Sequence, residues 1–329
     1  MAELAERLIA RERAAVPEAL NLIDDQRPAQ RARAHALLAR IEAASGPTGG
    51  AWRIGMTGAP GAGKSTLLDL CVQRFRADDL GVGVIAVDPS SPRSGGALLG
   101  DRFRMRASAR DRGVFVRSMA ARERLGGLAD ATHASVEVLS VVFDVVLVES
   151  VGVGQSEGDI AREVDTTVFV AQPGAGDMLQ FMKAGILEVP DIFVVNKADL
   201  GALAERSAGE LSAGLGLAER KSAGWTPPVL LCSARDGTGV DRLMDAMRAH
   251  RRHLEDSGEL ARVRRRACEA FVREALRERY GSFGLGAIGG SEGLDARLAR
   301  IDAGAFASVQ RIGDEIESKL CGAPPEGHA

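Results

Sequence analysis

The spacing of apolar residues changes character twice along the chain. Up to about residue 44, in "MAELAERLIARERAAVPEAL" and the stretch after it, apolar residues recur at helical intervals among charged ones. That pattern predicts two or three amphipathic helices. Pro17 and Pro28 interrupt it, and "SGPTGG" ends it as a linker. From Trp52 the period shortens: "WRIGMTG", "VGVIAVD", "GVFVRS", "FDVVLVES", "TTVFVAQ", "DIFVVNK" and "PVLLCSA" are β-branched runs with helical spacing between them. Such runs predict buried strands, so the expected fold is α/β, a mainly parallel, doubly wound sheet. Beyond about Gly239 the strand signal stops. The remainder is helical by periodicity, broken by the glycine-rich "GSFGLGAIGGSEG". The expected division is an N-terminal helical arm (1–46), an α/β domain (47–252) and a C-terminal helical arm (253–329).

Composition narrows the class. With 329 residues, of which 45% are hydrophobic, the chain can bury a substantial core. A formal net charge of -3 gives no global field to recruit nucleic acid or acidic membrane. The basic run "RVRRRACEAFVREALRER" carries interspersed glutamates and no interleaved aromatics, so it reads as a solvated helix face whose apolar positions meet another subunit. Cys71, Cys232, Cys268 and Cys321 lie far apart, with no C-x-x-C pair. They are expected to be buried, reduced thiols of a cytoplasmic protein. His133, His250 and His253 fall on expected helices and read as surface residues. No stretch has the pattern of a signal peptide or the ~20 apolar residues of a membrane span.

The chemistry is concentrated at strand ends. "GMTGAPGAGKST" places Gly58, Ala59, Pro60, Gly61, Ala62, Gly63, Lys64, Ser65 and Thr66 between an expected strand and helix, in the Walker A spacing. Its backbone N–H groups can cradle phosphate, Lys64 adds positive charge, and the Ser65 hydroxyl can bind Mg²⁺. "VVNKAD" ends another strand in Asn196, Lys197 and Asp199. A carboxylate at Asp199 suits the N1–H and 2-amino donors of guanine, which adenine lacks; a helix cap is the plainer reading of that aspartate. Ser233 and Ala234 of "LLCSARDGTG" follow as the segment expected to meet the guanine carbonyl. Together the three motifs favour GTP and GDP over ATP.

Glu149 of "LVESVGVGQSE", Asp88 of "AVDPSS" and Asp101 of "LGDRFRM" join Ser65 as candidate oxygen donors to Mg²⁺. Asp101 is also a plausible helix cap. No glutamine directly follows Gly152, and Gln155 stands three residues on. Slow unaided hydrolysis is therefore expected, with help from Lys183, Arg102, Arg104 or a partner.

"GAPGAGKST", "AVDPSSPRSGGALLGDRFRM", "LGGLA", "VVLVESVGVGQSE" and "NKAD", in this order and between helical arms, resemble the MeaB family of GTPases, also labelled ArgK or methylmalonic aciduria type A proteins. The resemblance covers essentially the whole chain. It implies a P-loop GTPase that acts as chaperone to an adenosylcobalamin-dependent acyl-CoA mutase, gating cofactor delivery and helping replace inactivated cofactor. It further implies a homodimer joined by the C-terminal helices, with any contact to the adenosyltransferase made through the mutase and no cobalamin bound by this chain itself. Residues 172–183 match the family's third switch, and Lys64, Glu149, Lys183 and Arg104 are the expected catalytic set. Two departures stand out. Ser150 replaces the usual Thr, and Arg122, Glu123 and Arg124 replace a Ser/Thr/Gly-rich approach to "LGG". The alternatives are a nickel-insertion accessory GTPase, disfavoured by the lack of a Cys/His cluster, and an arginine or ornithine kinase, disfavoured by the guanine motif.

Overall fold

Each apolar run from Trp52 onward becomes a strand of one sheet. The computed structural model describes residues 2–25, 27–46, 48–89, 111–121, 128–150, 160–174, 190–217, 224–301 and 304–322. Its strands are β1 (Trp52–Thr57), β2 (Val82–Pro89), β3 (Val114–Ala121), β4 (Val145–Glu149), β5 (Thr166–Ala171), β6 (Ile192–Val195) and β7 (Val229–Leu231). They lie in the order β3-β2-β4-β1-β5-β6-β7, and every adjacent pair is parallel. β4 and β5 are buried at every position, which accounts for the apolar runs at 145–148 and 168–171. Met56 of β1 pairs with Glu149 on one side and Val168 on the other. The loop leaving β1 therefore emerges between two neighbouring strands at the carboxyl edge, where open parallel sheets bind ligands.

The helices among the described residues are α1 (Ala2–Ile9), α2 (Val16–Asp24), α3 (Pro28–Ser45), α4 (Lys64–Ala77), α5 (Leu128–Val142), α6 (Ala202–Leu217), α7 (Val240–Asp256), α8 (Glu259–Gly286), α9 (Gly290–Leu298) and α10 (Ala305–Gly322). The chain divides into a sheet unit, Gly50–Glu123 with Phe143–Val263, and a helical unit, Met1–Gly49, Arg124–Val142 and Arg264–Ala329. In the sheet unit α4 and α7 bury Leu67, Leu68, Phe75, Leu243 and Met247 against Ile54, Met56 and Val84. α6 covers Phe169 and Phe193 with Ala204 and Leu211.

At the amino ends of these strands lies a second polar cluster. His250 Nδ1 is 3.0 Å from Thr166 Oγ1, its Nε2 is 3.4 Å from Asp191 Oδ1, and Trp225 Nε1 donates to the Asp191 carbonyl at 2.8 Å. Burial pushes the Asp191 carboxyl up to about 7, against a lowering by the Thr167 N–H. It pushes His250 down to about 4, aided by His253 and opposed by Asp165.

In the helical unit, Pro17 and Pro28 each stand in the first turn of a helix, where a missing N–H costs nothing. Leu8, Val16, Leu37 and Ile41 form part of its buried interior. Glu42 of α3 accepts from Ala305 N at 2.9 Å and Phe306 N at 3.1 Å, so its carboxylate caps α10. The glycine-rich stretch is less of a break than its composition implies. α8 continues to Gly286 through a kink at Gly281 (φ 59°, ψ -170°), and α9 starts at Gly290.

Two expectations from the sequence are corrected. His133 and His250 are only 4% and 3% exposed rather than surface residues. α5 is buried on every side from Thr132 to Ser140, so its polar residues have no solvent face, and the His133 ring stacks on Phe271 at 4.1 Å. Cys71 and Cys232 are buried as expected, but Cys268 is half-buried and Cys321 is exposed near the end of α10, a helix that turns Ile312 and Ile316 inward instead. No helix among the described residues is long and apolar enough to cross a membrane.

Candidate nucleotide-binding site

The phosphate loop runs from the end of β1 to the first turn of α4, and its glycines are required by space as well as by φ. A Cβ on Gly58 (φ +134°) would lie 2.0 Å from the Val170 carbonyl, and one on Gly63 (φ +89°) 2.4 Å from Asn196 Nδ2. The loop is thereby pressed against β5 and against the residue that ends β6. Lys64 is buried, and its Nζ donates to the carbonyls of Gly58 at 2.8 Å and Ala59 at 3.1 Å. The ammonium thus lies over the cradle formed by residues 58–63. A phosphate there would meet the helix N-terminus and this charge together.

One strand over, the Ser65 hydroxyl donates to Glu149 Oε1 at 2.7 Å, both residues being buried. A hydroxyl and a carboxylate brought together beside a phosphate loop form an oxygen-only donor set, which suits Mg²⁺. Ser150 follows, its Oγ donating to Thr57 Oγ1 at 2.9 Å, so the hydroxyl retained at this position ties β4 to β1. Asp88 is the last residue but one of β2, with only its backbone described. Asp101, Arg102, Arg104, Arg122, Glu123, Arg124, Gly152, Gln155 and Lys183 lie outside the described residues, so their expected roles have no geometry here.

The segments expected to read the base converge on Asn196. Its Nδ2 donates to the Ala62 carbonyl at 2.8 Å and its Oδ1 accepts from Ala234 N at 3.0 Å. One buried side chain thereby joins the phosphate loop to the ends of β6 and β7. Lys197 adopts φ 59°, uncommon for a residue with a side chain, and Asp199 Oδ1 accepts from Ser233 Oγ at 2.9 Å with Arg235 at 3.7 Å. The N–H groups of Ser233 and Ala234, expected near the guanine carbonyl, donate to Thr238 O and Asn196 Oδ1. Sequence reasoning did not reveal the contact in which Lys197 Nζ donates to Gln172 Oε1 at 2.9 Å. A glutamine directly after a buried strand's last residue was the available signal, because carboxyl-edge positions face the ligand in this sheet.

Comparison with known proteins agrees with this arrangement. The family model described as "Methylmalonyl Co-A mutase-associated GTPase MeaB" matches residues 16–282. A relative from Pyrococcus horikoshii, named as a GTPase, is 45% identical over 277 residues, covering 83% of this chain and 85% of its own. The mitochondrial methylmalonic aciduria type A homolog of Mus musculus is 35% identical over 281 residues, 82% of this chain and 68% of its own. Among solved structures, that of a LAO/AO transport system kinase superposes with a TM-score of 0.70 at 28% identity, covering 96% of this chain and 97% of the other. With a parallel sheet, a glycine-rich loop after β1 and an asparagine that joins that loop to the segment after β7, this chain belongs to the MeaB family of GTPases.

Proposed function

We propose that this GTPase is the chaperone of an adenosylcobalamin-dependent acyl-CoA mutase, methylmalonyl-CoA mutase or a close relative, and that it gates cofactor loading and helps protect or reactivate the mutase. Support for the partner comes from the family's description as mutase-associated. The observation that carries the nucleotide-switch part is the position of Asn196, bonded to both Ala62 of the phosphate loop and Ala234 of the base loop. Occupancy of the base site and the shape of the phosphate cradle are then mechanically linked.

In this reading Lys64 neutralises phosphate charge in ground and transition states alike, while Asn196, Lys197, Asp199, Ser233 and Ala234 select guanine. Ser65 and Glu149, with Asp88 and Asp101, hold Mg²⁺, which when bound offsets charge on the phosphate oxygens. Lys183 and Arg104 supply charge to the transition state when the partner is bound. The protein acts as a homodimer through its C-terminal helices in the cytoplasm. It binds no cobalamin itself and meets the adenosyltransferase through the mutase.

Single-turnover GTP hydrolysis with and without the candidate mutase tests this. Stimulation is expected, and Lys183→Ala should abolish most of it with little change in GTP affinity, whereas Lys64→Ala should weaken binding itself. Absence of stimulation by every acyl-CoA mutase of the source organism removes the chaperone reading. Transfer of phosphate to arginine or ornithine in place of release to water would make the protein a kinase.

A further inference from the structure

Away from the nucleotide site, the helical unit gathers three metal-ligating side chains in its interior. His133 and Glu137 stand four residues apart on α5, hence on one face, and Glu42 comes from α3. One donor atom from each lies within 4.8 Å of the other two. His133 and Glu137 are 4% and 8% exposed. His133 Nε2 and Glu137 Oε1 are 4.0 Å apart, too far for a hydrogen bond. Donor bonds of ~2.1 Å around a tetrahedral ion place ligands roughly 3.4 Å apart, so each pair of donors must close by no more than ~1.4 Å to share one centre.

The donors are also held in orientation. The imidazole stacks on Phe271 at 4.1 Å and lies 5.6 Å from Phe306. Both Glu42 oxygens accept a backbone N–H from the start of α10, which fixes the carboxylate and still leaves each oxygen a lone pair. Such outer partners are what orient ligands at metal centres. Two carboxylates and a neutral imidazole would between them offset the charge of one divalent ion. Charge in a protein interior is tolerated when it is paired or coordinated in this way.

We propose that Glu42, His133 and Glu137 form a structural site for a divalent transition-metal ion, zinc foremost. Imidazole with carboxylate favours zinc over magnesium or calcium, which separates this centre from the oxygen-only set at Ser65 and Glu149. Bound there, the ion staples α3 to α5 and, through Glu42, to the first turn of α10.

The test uses the full chain, stripped with chelator and then saturated with GDP and Mg²⁺ so that the nucleotide site is filled. Calorimetric titration with Zn²⁺ should show one equivalent bound per chain, and Co²⁺ should give visible ligand-field bands. Glu137→Gln and His133→Gln should each weaken Zn²⁺ binding by ~10–100-fold while GDP affinity stays unchanged. Zn²⁺ should also raise the Tm of the parent protein more than that of Glu137→Gln. No Zn²⁺ heat and no Co²⁺ bands in the parent protein would overturn the proposal, as would undiminished binding in Glu137→Gln. Should His133→Gln fail to fold, the parent spectrum and the near-isosteric Glu137→Gln decide between the outcomes.

Discussion

The same seven-stranded sheet carries buried polar groups at both ends, and the two ends use them differently. At the amino edge, Thr166, Asp191, His250 and Trp225 satisfy one another, and the titrations of Asp191 and His250 are driven far from their ordinary values. At the carboxyl edge, Asn196, Lys64 and Ser65 are held by backbone carbonyls and by Glu149, around a cradle of glycines. Perturbed titration often marks a functional site. Here the strongly shifted Asp–His pair marks a closed network, while the ligand site is recognised by glycines that cannot carry a Cβ and by bonds that join separate loops. Burial shifts a pKa wherever it occurs. Function needs polar groups aimed at a space that something else can enter.

The largest expected effect tests the carboxyl edge. Asp199→Asn should lower GDP affinity by about 100-fold and raise that for xanthosine diphosphate, since the amide exchanges an acceptor for a donor towards the base. An asparagine can still accept from Ser233, the bond that now holds Asp199 at 2.9 Å, so the loop should keep its shape. Calorimetry with the two nucleotides checks the exchange. Unchanged selectivity would leave Asp199 as a structural tie to Ser233 and remove the contrast between the two ends.

The sequence made much of this edge legible, because the phosphate loop and "NKAD" are contiguous motifs whose residues fall at strand ends. All seven strands were readable for the related reason that each carries a short run rich in β-branched and apolar residues. What escaped were contacts between distant segments. Asn196 reaches Ala62 across 134 positions, and Lys197 reaches Gln172 across 25. The polar residues of α5 misled for another reason: a helix buried on every side shows no amphipathic stripe, so His133 resembled a surface histidine.

A middle-sized effect should appear at the amino edge, in stability rather than binding. The His250 pKa is lowered to about 4 from 6.5, so the unfolded chain binds more protons between those values and stability from this group falls as pH drops through the window. Asp191, raised to about 7 from 3.8, has the opposite slope and loses stability as pH rises. In the parent protein the two slopes oppose from about pH 4 to 6.5, and the folded pair holds one proton throughout. Asp191→Asn keeps an acceptor for Thr167 N–H and should uncover the His250 slope, a loss on the order of 2 kcal/mol from pH 7 to 4.5. His250→Gln should instead become less stable as pH rises from 4.5 to 7.5. Urea unfolding at these pH values reads both. Parallel pH profiles for the parent and the two variants would show that the network is not closed in the sense drawn above.

The smallest effect returns to the carboxyl edge and to the contact the motifs did not reveal. Lys197 sits at φ 59°, and its ammonium donates to Gln172 Oε1 at 2.9 Å from a partly buried position. Fixing a four-carbon side chain in one direction prepares its stem for a base and removes an ordering cost from binding. Gln172 is then a positioning residue, acting on guanine through Lys197. Gln172→Ala should weaken GDP and GTP equally, by about 3–10-fold, the net range of one ordinary hydrogen bond. Gln172→Glu retains the acceptor and adds a charge, so it should bind at least as tightly as the parent protein. Glutamine occupies the first position of the segment proposed to answer the mutase, which gives the pair of variants a second use. If Gln172→Ala also lowers mutase-stimulated hydrolysis at saturating GTP and Gln172→Glu restores it, base recognition and partner response share this contact. Equal nucleotide affinity in the parent protein and Gln172→Ala would show instead that Lys197 is directed by its backbone alone.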